Sequence, residues 1–271
     1  MDRQLLVERH LISRHLAEGT APRGVVVSAD ETLAVMINEE DHLRIQVLRS
    51  GLQLLEAMQE IHRIDDCLET HLDYAYHPRY GYLTACPTNV GTGLRVSVML
   101  HLPGLKFVGE IEKAFRAARA MRLEVRGLYG EGTEGIGDFF QVSNQVTLGR
   151  SEQEIADDLC HLVIPQLIEY EQRARAAMLR QDAVLDDKVL RSLALLRSAR
   201  LIGSEETMYL LSLLRLGVGL GRVTGISMDT INELFLLTQP AHLQRILGRE
   251  MDGRERAEAR AKFIRGRLGA G

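Results

Sequence analysis

Three short stretches carry more chemistry than a fold alone needs. CPTNVGTGLR, Cys86 to Arg95, puts a thiol, two threonines, two glycines and an arginine into ten residues. INEEDHLRI, Ile37 to Ile45, sets Glu39, Glu40, Asp41, His42 and Arg44 between two apolar runs. RGLYGEGTEGIG, Arg126 to Gly137, is a glycine-rich loop carrying Glu131 and Glu134. Thiolates are nucleophiles, carboxylates orient cations and accept protons, and arginine forks grip phosphate at two points. Each stretch also has a plain structural reading: a buried inert cysteine beside a turn, a solvated strand connection, and a flexible connector whose match to nucleotide loops is weak. Neither a turn nor a core accounts for Arg95, which runs straight into the apolar VSVML.

The surrounding elements must hold these stretches in place. GVVVSAD, TLAVMIN and HLRIQVL are short, β-branched and separated by polar clusters, and they predict three successive antiparallel strands. Leu52, Leu55, Met58, Ile61 and Leu68 recur at helical spacing, so LQLLEAMQEIHRIDDCLETHL predicts an amphipathic helix. GYLTACP and LRVSVMLHLP read as further strands, KFVGEIEKAFRAARAMR as a second helix, and LEVRGL and FFQVSNQVTL as strands again. This is an α+β pattern, an antiparallel sheet flanked by helices. Ser151 and Glu154 form a capping box ahead of a long helix that Pro165 should kink or interrupt. From Asp186 onward nearly everything is helix-like, with breaks at Gly203-Ser204 and Gly225 to Ser227. The expected division is a catalytic domain over residues 1–180 and an all-helical C-terminal domain over 181–271.

Composition narrows the function classes. The 271 residues are 45% hydrophobic and 26% charged, with no tryptophan, which suits one large or two ordinary soluble domains. No apolar run approaches the ~18 residues of a membrane span. MDRQLLVERH is charged where a secretory leader is apolar. Cys67, Cys86 and Cys160 form no C-x-x-C pair, so neither a disulfide framework nor a structural metal site is expected, and the chain reads as cytoplasmic with reduced thiols. A net charge of -4 argues against a nucleic-acid binder. The basic C-terminus, GRERAEARAKFIRGRLGAG, reads as a solvated helix face.

In their order and spacing, N-E-E-D-H-L-R, C-P-T-N-V-G-T-G-L-R and R-G-L-Y-G-E-G-T-E closely resemble the phosphagen (ATP:guanidino) kinases. The resemblance is strongest to their bacterial protein-arginine kinase branch and continues through LTQPAHLQRI and the arginine-rich C-terminus. It implies ATP with Mg²⁺ as phosphoryl donor and a guanidinium as acceptor. A guanidinium is protonated below a pKa of about 12, so its phosphorylation requires carboxylates that orient the fork and accept a proton. By resemblance Glu40 and Glu131 take those roles, with Glu39 and Glu134 as nearby alternatives. Cys86 matches the family's reactive cysteine beside the guanidinium. Arg44, Arg95 and Arg126 match the arginines that cage the nucleotide phosphates. Val96, Ser97, Val98 and Met99, Gly127, Leu128, Tyr129 and Gly130, and His10 are expected to complete the nucleotide site. Gln141 stands where the metazoan members carry an aspartate.

Two departures from the family pattern matter. The R-D-x-x-R-A motif that binds phosphoarginine in the bacterial branch here reads Arg256, Ala257, Glu258, Ala259, Arg260, Ala261, so an allosteric pocket on Arg256 and Arg260 lacks its acid. The S-x-R-x-R arginine pair of the family does not occur ahead of His10, and a chain beginning at Met1 is expected to keep the fold with little kinase activity. The leading expectation is a protein-arginine kinase that marks proteins for Clp-type proteolysis, with an activator protein, the Clp machinery or a homodimer as partners. A free-arginine kinase and a catalytically impaired phosphoarginine- or Clp-binding module are the alternatives.

Overall fold

The structure is a computed structural model and describes residues 2–128, 135–179 and 182–269. Two short helices, α1 (Asp2–Glu8) and α2 (Arg14–Glu18), lead into β1 (Gly24–Val27), β2 (Leu33–Ile37) and β3 (Leu43–Val47). These strands pair antiparallel in sequence order, as their β-branched runs and polar separators predict. Asp30 shapes the first turn, accepting from the Ser28 hydroxyl at 2.6 Å and the Thr32 hydroxyl at 2.9 Å. Asn38 opens the second at φ 54°, a left-handed conformation that asparagine tolerates. Its N–H donates to the His42 carbonyl at 2.9 Å, so residues 38–42 protrude as one tight turn. Met36 on the inner face is fully buried with Ile12, Leu16 and Ala17. Helix α3 (Leu54–Glu69) packs on β3.

A small hairpin, β4 (Tyr76–His77) and β5 (Gly81–Tyr82), precedes a second three-stranded antiparallel sheet. This sheet comprises β6 (Ser97–His101), β7 (Leu123–Gly127) and β8 (Phe139–Asn144), ordered β6-β8-β7. Its pleat separates two chemistries. Val98 and Leu100 pair with Val142 and Phe140, which pair with Val125 and Gly127, and this face closes on a core with Phe115, Leu159 and Ile164. The opposite face aligns Ser97 and Met99, Ser143 and Gln141, and Glu124 and Arg126.

Local signals explain most breaks. The sequence predicts one helix from Lys106 to Arg122. The chain instead forms α4 (Pro103–Phe107) and α5 (Ile111–Ala120), because Gly109 takes φ 76° between them. Of GYLTACP only Gly81–Tyr82 is strand. The Ser151 capping box is present at the start of α6 (Glu152–Asp157). A π-helical stretch, Asp158–Val163, then joins it to α7 (Ile164–Met178), with Pro165 in the first turn, where a missing N–H costs little.

The C-terminal region is helical throughout: α8 (Asp182–Ser198), α9 (Ser204–Gly219), α10 (Met228–Leu237), α11 (Pro240–Leu247) and α12 (Gly253–Leu268). Its own core gathers Leu185, Val189, Leu211, Leu214, Ile231 and Ile264. No described helix is long and apolar enough to cross a membrane.

Two polar joints tie this region to the rest. Glu8 accepts from the Ala241 and His242 N–H groups at 2.7 and 2.9 Å, capping α11, and contacts His242 Nδ1 at 2.7 Å. At the second joint the Ser212 hydroxyl donates to buried Asp138 at 2.5 Å. His101 Nε2 lies 2.8 Å from that hydroxyl, and Arg215 lies 2.8 Å from His101 Nδ1. Burial, then Arg215 and Arg175, push the His101 pKa well below the ordinary value, so the ring is neutral. With Nδ1 accepting from Arg215, the proton sits on Nε2 and is donated to Ser212.

Candidate active site

The polar face of the β6-β8-β7 sheet gathers guanidinium groups. Arg95 Nη2 donates to Glu124 at 2.9 Å and to Ser143 Oγ at 2.8 Å. Arg126 Nη2 meets the other Glu124 oxygen at 2.7 Å. Burial lowers the Arg95 pKa, as do the neighbouring charges of Arg126 and Arg44, while Glu124 opposes them. Burial alone would raise Glu124, but hydrogen bonds from Arg126 and Arg95 hold it below the usual carboxylate range. Arg44, on β3, ion-pairs with Glu39 at 3.6 Å. Arg95 and Arg126, from separate parts of the chain, therefore share one carboxylate, with Arg44 close enough for its charge to lower the Arg95 pKa, and all three keep exposed surface. Such a face suits the oxygens of a polyphosphate.

The CPTNVGTGLR stretch answers to its surroundings. Tyr82 N–H donates to the Gly91 carbonyl at 2.8 Å, and the Gly91 N–H returns the bond at 3.2 Å. Gly91 takes φ 119°, and a Cβ there would lie 2.4 Å from the Thr147 carbonyl oxygen. Only glycine fits. The Thr147 hydroxyl, in contact with both the Thr88 and Val90 carbonyls at 3.0 and 2.8 Å, ties the loop down. Asn144 fixes the strand that follows, accepting from Val96 N–H at 2.8 Å and donating to the Leu94 carbonyl at 3.0 Å. Arg95 is thus the residue between a pinned loop and a pinned strand. Cys86 is half-buried, its sulfur 3.0 Å from the Thr88 hydroxyl.

The acidic turn lies against this loop. Asp41 Oδ1 accepts from the Ala85 N–H at 2.6 Å, joining the Glu39–Glu40 turn to the residue before Cys86. The two glutamates differ in environment. The Glu39 side chain is 6% exposed, accepts from Ser13 Oγ and pairs with Arg44. Burial would raise its pKa, but the Ser13 bond and Arg44 bring it below the usual value. Glu40 is exposed.

Other expected residues fall in several places. His10 sits at φ 58° in the turn after α1, and its carbonyl accepts from Gln46 at 2.7 Å, two residues along β3 from Arg44. Ser97 and Met99 lie on the arginine face, whereas Val96 belongs to the core and Val98 packs against it. Gly127 is buried at the end of β7 and Leu128 is half-buried. Tyr129, Gly130, Glu131 and Glu134 lie outside the described residues. Arg256 and Arg260 are far along the chain on α12, bonded to main-chain carbonyls. Arg260 is 3% exposed and donates to Thr238 and Ile202 at 2.8 and 3.0 Å, and Arg256 donates to Met251. Sequence reading did not single out Glu124, Ser143, Asn144, Thr147 or Asp41. Strand alternation would have placed Glu124 beside Arg126, but its second arginine partner is 29 residues away.

Comparison with known proteins bears on this geometry. The ATP:guanido phosphotransferase C-terminal catalytic domain family matches residues 1–174, and the protein-arginine kinase McsB C-terminal domain family matches residues 182–270. The chain is 48% identical to the protein-arginine kinases of Geobacillus stearothermophilus and Bacillus subtilis (strain 168), over 99% of its own length and 74% of theirs. It is 49% identical to that of Symbiobacterium thermophilum, over 100% of this chain and 76% of the relative. Among solved structures, lombricine kinase matches at 29% identity and TM-score 0.56, over 65% of this chain and 51% of that one. The duplicated taurocyamine kinase from Schistosoma mansoni, with bound transition state analog components, matches at 28% identity and TM-score 0.57, over 63% and 25%. The arginine face, the pinned cysteine loop and this similarity along nearly the whole chain lead to one conclusion: the chain belongs to the ATP:guanido phosphotransferase family, in its protein-arginine kinase branch.

Proposed function

We propose that this protein transfers the γ-phosphoryl group of ATP to the guanidinium of arginine side chains in proteins. The observation that carries the reading is the pairing of Arg95 and Arg126 on Glu124 at one polar sheet face, with Arg44 close enough to act on Arg95 and its turn bonded to the residue before Cys86. Phosphoryl transfer through a loose transition state needs charge neutralisation and alignment more than covalent help. The three guanidinium groups supply donors for the phosphate oxygens. Ser97 and Met99, on the same face, and His10, near Arg44, contribute to holding the nucleotide, and Val96 and Val98 do so only through their main chain.

The acceptor guanidinium needs its fork oriented and a proton removed as the N–P bond forms. Glu40 suits that role better than Glu39, because Glu39 is already engaged by Ser13 and Arg44. Glu131 is the second carboxylate by family resemblance, and Cys86 contributes its sulfur at the edge of the guanidinium site. Mg²⁺ enters as the companion of ATP. Among the described residues the Glu124 carboxylate of this face is occupied by two arginines, so the ion would enter with the nucleotide and supply charge neutralisation at its phosphates.

The helical region, residues 181–271, favours a protein over a small guanidino acceptor, and phosphoarginine on such proteins would serve as a mark for Clp-type proteolysis. A phosphoarginine pocket on α12 is not favoured, because Arg260 is buried and bonds two main-chain carbonyls. The test is incubation of the purified chain with Mg·ATP and an unstructured arginine-containing protein, read by mass spectrometry for acid-labile phosphoarginine. Arginine-specific modification is expected when the S-x-R-x-R segment of the family is supplied ahead of His10, and little from the chain beginning at Met1. With that segment supplied, transfer to free arginine but not to protein would overturn the choice of acceptor, and no transfer to either would overturn the reading.

A further inference from the structure

Glu124 is an acid placed where phosphate oxygens are expected. Strand register puts it two residues before Arg126 on β7 and opposite Ser143 on β8. Each carboxylate oxygen takes one guanidinium, Arg95 at 2.9 Å and Arg126 at 2.7 Å. Without an anion between them, two like charges at this spacing repel. With a polyphosphate present, the same carboxylate becomes a like charge next to the phosphates and a rival for the Nη2 donors. The side chain keeps 25% of its surface in solvent, so water can reach the bridge and support an exchange of partners.

We infer that Glu124 is a displaceable internal anion of the arginine cage, holding the Arg95 and Arg126 forks together in the empty site and yielding their donors when a polyphosphate binds. The inference rests on the reading of these arginines as phosphate ligands. It makes Glu124 a positioning residue that weakens nucleotide affinity: departing nucleotide leaves donors that the carboxylate recaptures at once. The ligand class is any tri- or diphosphate, because the competition is for phosphate oxygens and ignores base and ribose.

Calorimetric titration of the chain and of Glu124→Gln with Mg·ATP, and separately with inorganic tripolyphosphate, tests this. Glu124→Gln should bind both ligands roughly three- to tenfold more tightly, with a larger gain at low salt. Glu124→Asp, whose shorter carboxylate cannot span both forks, should fall between them and serves if the glutamine variant folds poorly. A mere brace would give the opposite sign, so unchanged or weaker binding of both variants overturns the inference. If the unsubstituted chain binds neither ligand, the reading of the arginines fails and takes the inference with it. If it binds both and the variants bind no better, the inference alone fails.

Discussion

The arginines at the β6-β8-β7 face and Arg260 of α12 use one side chain in opposite ways. Arg95 and Arg126 at this sheet, and Arg44 on β3, are partly exposed and answered by carboxylates, Glu124 and Glu39. On α12, Arg260 is buried and its donors end on two main-chain carbonyls. A carboxylate can be exchanged for a phosphate, because both are anions reached from solvent. A buried carbonyl cannot be released without stranding an unsatisfied polar group. Partner type therefore separates arginines that can bind a ligand from arginines that hold helices together.

The largest effect should come from the sheet. Arg126→Ala or Arg95→Ala removes a guanidinium from the phosphates, and kcat/KM for protein phosphorylation should fall on the order of 10³-fold, the lower end for a transition-state arginine. Thermal melting should move little. A loss below tenfold in steady-state assays would erase the contrast with α12.

Arg260→Ala should reverse the pattern. It leaves two carbonyls and a cavity, so stability should fall by about 3 kcal/mol in urea denaturation. Phosphorylation per folded molecule should hold steady. An intact stability with lost regulation by phosphoarginine would show that α12 binds a ligand after all.

Glu39→Gln tests the carboxylate behind Arg44, with an expected cost of about 1 kcal/mol at neutral pH. The folded pKa of Glu39 lies below its ordinary value of 4.5. Its contribution is therefore fully present above that value and is lost as pH falls through the folded pKa. Melting curves of the two proteins should converge in acid, and a constant gap would mean that the ionised carboxylate is not the source. The smallest effect is Ser143→Ala, which takes one partner from Arg95 and should raise KM for Mg·ATP about two- to threefold.

Much of this was legible beforehand. The β-branched runs GVVVSAD, TLAVMIN and HLRIQVL with their polar separators pointed to the first sheet, and S-E-Q-E to the α6 cap, because both signals are local. Motif order singled out Arg44, Arg95 and Arg126, and the structure puts Arg95 and Arg126 on one carboxylate. The pleat could have divided Val96–Met99 into core and site residues, since period two is a sequence property. The break at Gly109 was hidden by apolar periodicity continuing across it. The roles of Thr147 and Asn144 were not legible: Thr147 holds residues 57 and 59 positions away, and Asn144 holds residues 48 and 50 positions away. The difference between Glu39 and Glu40 depends on Ser13, 26 residues before Glu39. Such pairings are decided by tertiary packing, which no local window contains.

The Asp138–Ser212–His101–Arg215 joint bears on how this molecule can be divided or recombined. Asp138 follows the glycine-rich loop in sequence and also receives Lys106 at 2.8 Å, while Ser212 and Arg215 belong to α9. Cutting between α7 and α8 would take Ser212 from the buried Asp138 carboxylate and both hydrogen-bond partners from the neutral His101 imidazole. A chimera that exchanged the helical region for one from a relative would need to carry a hydroxyl and a guanidinium at the positions of Ser212 and Arg215. Without them the graft would mispair at Asp138 and His101. The interchangeable part is therefore larger than the catalytic sheet and includes at least one face of α9.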